Sequence, residues 1–257
     1  MIERRMNKNH NSSSNKNTFW IYGLHAVRTA LLNEERQCHK MIYLQESQLK
    51  EVDSSKKPHL SIEKVERQKF DTLFPGGAVH QGIALLVTIF EEKGNEIFEQ
   101  MDDPSCVVIT LDQITDPHNL GAILRSAAAF GAKALIVPDR NTPDENSPLV
   151  AKIASGALEC VPIIRVTNLA RALEKMKDYG FWHVGLDEQG TTLLPELKLT
   201  GKTNIILGAE GEGLRRLTQE NCDFLVRLPT NPLFTTLNVS NAAAISLYEC
   251  VRNKPTS

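Results

Sequence analysis

Apolar and polar positions along the chain follow two rhythms, one of short β-branched runs and one of helical spacing. From Ser105 onward, apolar runs recur at Val107–Leu111, Lys133–Val137, Pro162–Val166, Trp182–Leu186, Thr203–Leu207 and Phe224–Leu228. Between most of them lie helix-spaced segments at Asn119–Phe130, Pro148–Leu158, Leu169–Tyr179 and Leu214–Asn221. Such β-α alternation predicts an α/β fold with a parallel, doubly wound sheet. Residues 18–90 predict a smaller α/β unit. Tyr22–Asn33 places Leu24, Val27, Ala30 and Leu31 on one helical face, and Met41–Leu44 reads as a strand. A helix is predicted from Ser61 to about Phe74, ended by Pro75-Gly76-Gly77. Ile83–Ile89 is an unbroken apolar strand of the kind buried on both faces. The polar stretch 91–104 reads as a linker within which Ile97–Met101 has the spacing of a short helix. Residues 1–17 are polar and low in complexity, the composition of a disordered tail.

Within the second unit, residues 105–257, the last fifty or so residues concentrate candidate chemistry. The run Thr203–Leu207 breaks into Gly208-Ala209-Glu210-Gly211-Glu212-Gly213, and Phe224–Leu228 stops at Pro229. This pattern predicts two strands ending side by side, at the carboxyl edge where parallel α/β sheets bind ligands. Glycines there let backbone approach a ligand closely. Glu210 is flanked by small residues, so it reads either as a solvated turn carboxylate or as a side chain aimed at a substrate. A second polar cluster, LDQITDPHNLGAILRSAAAFGA, follows the first strand of the unit. Asn119 is predicted as its helix N-cap. Gly121 and Arg125 are four apart on one helical face, so the glycine leaves room beside the guanidinium. Arg125 sits among small and apolar neighbours. It reads either as a helix-edge group bonded to a loop carbonyl or to Asp112, or as an arginine held for a phosphate or substrate oxygen. Asn238 opens the final helix, where it fits an N-cap.

Composition narrows the classes. A hydrophobic fraction of 41% with 23% charged residues is that of a soluble globular protein. No run approaches the roughly 20 apolar residues of a membrane span, and the N-terminus lacks a secretory signal. Five cysteines without CxxC or Cys/His spacing argue for reduced thiols in the cytoplasm and no metal site. The net charge of −2 gives no general support for nucleic-acid binding. A nicotinamide-binding GxGxxG with its downstream acid is missing, as is a GxSxG elbow.

Three clusters in order and in register, DPHNLGAILRSA, LGAEGEGLRRL and LPTN…TLNVSNAAA, resemble the signature motifs of the SpoU (TrmH-like) branch of the SPOUT RNA 2′-O-ribose methyltransferases. IYGLHAVRTAL and HQGIALLV resemble that family's small RNA substrate-binding domain, and the likeness covers about residues 19–252. VPIIRVTNLARAL and GAEGEGLRRLT are most similar to the bacterial 23S rRNA guanosine-2′-O-methyltransferases. The resemblance implies a parallel-sheet SPOUT domain with a trefoil knot, a homodimer, an RNA partner rather than DNA, and S-adenosylmethionine as cofactor. It implies a catalytic group of Asn119, Arg125, Glu210 and Asn238. Gly208, Leu228, Pro229, Thr236 and Leu237 would hold the cofactor. Arginine keeps its proton in proteins, so Arg125 suits phosphate anchoring and alkoxide stabilisation better than proton abstraction. Two departures from the family pattern stand out. Asn231-Pro232-Leu233-Phe234 occupies a loop where relatives carry glycine, and Thr236 stands where serine is usual. A tRNA-directed member of the family and a noncatalytic RNA-binding protein on the same fold are the competing readings.

Overall fold

The computed structural model describes residues 17–74, 79–91, 93–198 and 200–252. The expected tail therefore lies, but for Asn17, outside the described residues, as does the predicted Pro75-Gly76-Gly77 stop. The small unit contains β1 (Thr18–Tyr22), α1 (Leu24–Leu32), β2 (Cys38–Tyr43), α2 (Glu46–Lys50), β3 (Ser61–Lys64), α3 (Arg67–Leu73) and β4 (Ile83–Thr88). Its sheet runs β1-β4-β2-β3. Ile83, Ala84, Leu85 and Val87 of β4 are buried, as an unbroken apolar run requires. The helix expected from Ser61 is a correction. Ser61–Lys64 instead pairs parallel with Lys40–Tyr43, and the helix begins only at Arg67. Cross-strand pairing overrides local helical spacing there. Thr18–Tyr22 adds a strand outside the expected elements, one that its aromatic and β-branched residues favour.

The second unit contains β5 (Val107–Asp112), α4 (Pro117–Ala129), β6 (Leu135–Pro138), α5 (Pro148–Ala154), β7 (Ile163–Val166), α6 (Leu169–Asp178), β8 (Phe181–Leu186), β9 (Thr192–Leu193), β10 (Lys202–Gly208), α7 (Arg216–Asn221), β11 (Phe224–Arg227) and α8 (Val239–Val251). These strands form one sheet in the order β7-β6-β5-β10-β8-β11-β9, and every pairing in it is parallel. The six predicted strands and four helices are all present within a few residues of their expected ends. The two strands expected side by side, β10 and β11, are separated by β8. Both still end at the same edge of the sheet, so their loops meet. Side chains alternate between two buried faces: Val107, Ile109 and Leu111 pack toward α4 and α8, Val108 toward α6. Segment 91–104 includes a single 3-10 stretch, Asn95–Gln100, whose Phe98 is fully buried beside Phe181.

Candidate active site

Three loops meet beyond the carboxyl ends of β5 and β10. The first leaves β5 at Asp112 and enters α4. Asp116, not Asn119, caps that helix: its Oδ1 accepts from the His118 N–H at 2.8 Å, and Pro117 fills the first helical position. Asn119 is two residues inside, which leaves its amide free to bond elsewhere. Gly121 does not make room for Arg125. A Cβ there would lie 2.7 Å from Ile153 Cβ and 3.2 Å from the Val150 carbonyl oxygen, so the glycine serves the close packing of α4 on α5.

The second loop is the glycine turn after β10. Ala209 and Gly213 exchange backbone hydrogen bonds at 3.2 and 2.9 Å, closing the turn on itself. Gly211 and Gly213 have φ of +83° and +68°, which L side chains adopt only with strain. A Cβ on Gly208 would sit 2.1 Å from the Gly213 carbonyl carbon, so Gly208 is required by the return of the chain. The far end of the turn is tied to β5. The buried Asp112 carboxylate accepts from Arg215 N–H at 3.1 Å, Arg215 Nε at 2.6 Å and Thr218 Oγ1 at 2.7 Å. Asp112 therefore belongs to Arg215 rather than to Arg125. Sequence reasoning missed Asp112, Arg215 and Thr218 as a unit. The available signal was one acid ending an otherwise apolar strand.

The third loop joins β11 to α8. Asn238 caps α8 through Oδ1, which accepts from the Ser240 N–H at 2.9 Å. Its Nδ2 donates to Glu210 Oε1 at 2.8 Å and to Asn119 Oδ1 at 3.0 Å. Asn119 Nδ2 donates to the same Glu210 oxygen at 3.4 Å, and the Val239 N–H does so at 3.4 Å. Three predicted catalytic residues, 91 and 119 positions apart along the chain, thus close one hydrogen-bonded group. The Glu210 carboxylate lies at the N-terminus of a 13-residue helix, where the helix dipole favours negative charge. Glu210 is not a freely solvated turn residue. Leu228 packs on the main core, while Pro229, Thr236 and Leu237 are exposed. Asn231-Pro232-Leu233-Phe234 folds as a tight turn, with Phe234 N–H donating to the Asn231 carbonyl at 2.9 Å. It holds Leu233 and Phe234 in solvent, 94% and 72% exposed.

Arg125 stands apart. It is six residues beyond Asn119 on α4, about 9 Å along the axis. Its side chain is exposed and makes no hydrogen bond or ion pair among the described residues. His118 is likewise exposed and outside the group. Cys222, between α7 and the start of β11, has its thiol pushed up to about 12 by burial. Among the described residues, no cluster of three or more His, Cys, Asp or Glu could hold a metal ion. No helix among them is long and apolar enough to cross a membrane.

Residues 106–248 match the family model for the SpoU rRNA Methylase family, and residues 20–93 that for RNA 2′-O ribose methyltransferase substrate binding. The 23S rRNA (guanosine-2′-O-)-methyltransferase RlmB of Pseudomonas syringae pv. tomato is 41% identical over 242 residues, covering 91% of this chain and 95% of that protein. The protein of the same name from Vibrio parahaemolyticus is 40% identical, over 91% of this chain and 97% of its own length. Among solved structures, the SpoU methyltransferase AviRb from Streptomyces viridochromogenes, in complex with AdoMet, superposes with a TM-score of 0.79 at 23% identity. It covers 96% of this chain and 94% of that one. An AdoMet-bound rRNA methyltransferase from Sinorhizobium meliloti gives 0.78 at 21% identity, over 93% and 89% of the two chains.

Proposed function

The chain belongs to the SpoU rRNA methylase family, and from that premise we propose that it methylates the ribose 2′-hydroxyl of a guanosine in 23S rRNA. The observation that carries this reading is the closed group of Asn119, Glu210 and Asn238, drawn from three separated motifs to one edge of the sheet. S-adenosylmethionine supplies, when bound, a methyl group already activated on a sulfonium. The chain's task is then to orient donor and acceptor and to manage one proton.

The residues present fit that cofactor. The amide N–H groups of Leu228, Thr230, Thr236 and Leu237 have no partner among the described residues. They belong to the loop between β11 and α8, which also carries the half-buried Leu228 and the exposed Leu237, donors and apolar groups of the kinds a heteroaromatic ring and a carboxylate would use. Gly208, Leu228, Pro229, Thr236 and Leu237 are accordingly assigned to cofactor binding. Asn119, Glu210 and Asn238 orient the ribose, and the Glu210 carboxylate is the group positioned to accept a proton or a hydroxyl hydrogen bond. Arg125 anchors the neighbouring phosphate and stabilises the developing alkoxide.

Because Arg125 is exposed and makes no bond to the trio in its own chain, its role is assigned to a second copy. The outer face of α4 and α8 supports a homodimer: Ile245 and Tyr248 are 44% and 54% exposed, and Tyr248 meets Phe130 edge-on. In such a dimer Arg125 of one copy serves the trio of the other. The knotted chain path of SPOUT proteins enters this reading through the family alone. Domain limits of 18–90 and 105–257, a connecting segment at 91–104 and a cytoplasmic location complete the reading.

Incubating the protein with methyl-labelled S-adenosylmethionine and unmodified 23S rRNA, with tRNA in parallel, tests the reaction. Label on one rRNA guanosine 2′-oxygen is expected. Label on tRNA alone would overturn the rRNA assignment, and none on either would overturn the activity. Mixing Arg125→Ala with Glu210→Ala protein tests the shared site. Each variant alone is expected to be inactive, while the mixture regains activity through hybrid dimers carrying one intact site. A mixture as inactive as its components would exclude exchange of Arg125 between copies.

A further inference from the structure

The joint between the two units is built to hold one register. Arg36, between α1 and β2, is 2% exposed, and its guanidinium forks onto Glu159 in the turn after α5. Nε lies 3.0 and 2.9 Å from the two carboxylate oxygens, and Nη2 lies 2.7 Å from Oε1. Nη1 donates to the Thr88 carbonyl at 2.7 Å, and the guanidinium carbon lies 3.4 Å from the Phe90 ring centroid. Asn33 Nδ2 adds a bond to Glu159 Oε2 at 2.9 Å. The side chains of the ion pair are 1% and 3% exposed. A pair buried this deeply is favourable only while its fork geometry holds, since a small slide leaves both charges dry and unpaired.

Other contacts lie along α5 and the turn that follows it. Lys152 Nζ donates to Gln81 Oε1 at 3.0 Å, an oxygen that also accepts from the Leu24 N–H at 3.2 Å. Ala151 is buried in the core of the small unit. At Gly156, with φ +94°, a Cβ would sit 2.5 Å from Thr29 Oγ1. Contacts spread from residue 151 to residue 159 resist rotation as well as separation. The helix α5 is in turn fitted against α4 through Gly121, and α4 carries Asn119 and Arg125. A continuous packed path therefore runs from the small unit to the site.

We propose that Arg36 and Glu159 are positioning residues for methyl transfer: they fix the small unit at one distance and angle from the pocket, so a rigid joint selects which ribose is presented. This rests on the RNA methylation reading above and locates substrate selection within it. The test uses full-length Glu159→Gln and Arg36→Lys, which keep approximate volume and hydrogen-bonding capacity while disturbing the fork. Three experiments are made: S-adenosylmethionine Kd by calorimetry, KM and kcat on an rRNA fragment with the methylated positions mapped, and the distance distribution between labels at exposed His59 and Glu174. The cofactor Kd is expected to hold. The rRNA KM is expected to rise, and kcat/KM to fall by up to about 100-fold, the scale of a misplacement near 1 Å. Methylation spreads to neighbouring riboses, and the distance distribution broadens. An unchanged distribution with unchanged KM in both variants overturns the proposal. So does a parallel loss of cofactor affinity, which marks general structural damage. If the unaltered protein methylates no RNA, the activity reading fails, and the distance distribution alone decides the joint.

Discussion

Asn238 caps a helix and joins the polar group through different atoms. Its Oδ1 caps α8 at 2.9 Å, while its Nδ2 reaches Glu210 and Asn119. The two roles are separable. Asn238→Asp keeps an oxygen for the cap and a charge that the helix N-terminus favours. It also sets a second carboxylate against Glu210 and removes both donated bonds. Asn238→Asp is therefore expected to lose methyl transfer with its cap intact, and to regain thermal midpoint as pH falls and the carboxylate pair takes up a proton. Asn238→Ala is expected to lose activity and about 1 kcal/mol of stability together. A chain this long translates that into a fall of roughly 2–4 °C in Tm. Calorimetry beside a methylation assay checks both, and an active Asn238→Asp would remove the amide from the site. This residue's capping position could be read in the sequence. Asn119 was misread as a cap because Asp116 competes for the same role three positions earlier. That competition is decided by which side chain reaches a free N–H, which spacing does not specify.

At the scale of elements, two polar ties hold the strands that carry the loops. Asp112 ends β5 and grips the start of α7 through three hydrogen bonds, so the glycine turn is fixed at both ends. Asp112→Ala would leave the Thr218 hydroxyl and the Arg215 N–H without their acceptor, a cost of about 1–3 kcal/mol. Cofactor affinity is expected to fall while the α8 cap stays intact. A Kd for S-adenosylmethionine equal to that of the unaltered protein would show the turn to be self-sufficient. The second tie crosses three strands: Thr110 Oγ1 donates to Asn204 Oδ1 at 2.8 Å, Asn204 Nδ2 lies 3.2 Å from His183 Nδ1, and His183 Nε2 lies 2.8 Å from the Leu173 carbonyl oxygen. Burial lowers the His183 pKa below the ordinary imidazole value, against smaller opposing effects of the Leu173 carbonyl and Asp223. The unfolded chain then takes up the proton first. The contribution of His183 is complete above the unfolded value of about 6.5 and declines as pH falls below it. Denaturation at pH 7.5 and 5.5 should show lower stability at the acid value, with a smaller drop in His183→Asn. The β-α rhythm made these strands legible because each is a continuous apolar run. Strand order was not legible, since β10 and β11 look alike in pattern and β8 comes between them only through pairing in three dimensions. The Asp112–Arg215 tie spans 103 positions and leaves no local trace.

Considered as a whole, the molecule has two sheets whose cores touch through α5. The motifs made the family recognisable and held the three residues that meet at the sheet edge, because each group sits in a short, ordered string. The joint was not recognisable, because Arg36 and Glu159 lie 123 positions apart and each alone reads as a surface charge. Their burial has a thermodynamic consequence separate from catalysis. With both partners present, the units share a desolvated ion pair and Ala151 within the smaller core. Neither unit can unfold without exposing part of the other, so one cooperative transition is expected. Glu159→Ala leaves the Arg36 guanidinium buried without its carboxylate, at a cost of about 3–5 kcal/mol. The chain can relieve that cost by opening the joint and hydrating Arg36, and the small unit is then free to melt first. Differential scanning calorimetry should show one peak for the unaltered protein and two for Glu159→Ala, with the earlier peak belonging to the sheet of β1 to β4. Hydrogen exchange in β4 against β10 assigns the peaks: β4 amides lose protection at the first transition and β10 amides at the second. A single peak in Glu159→Ala, lowered as a whole, would mean that the apolar contacts of α5 couple the two units without the ion pair.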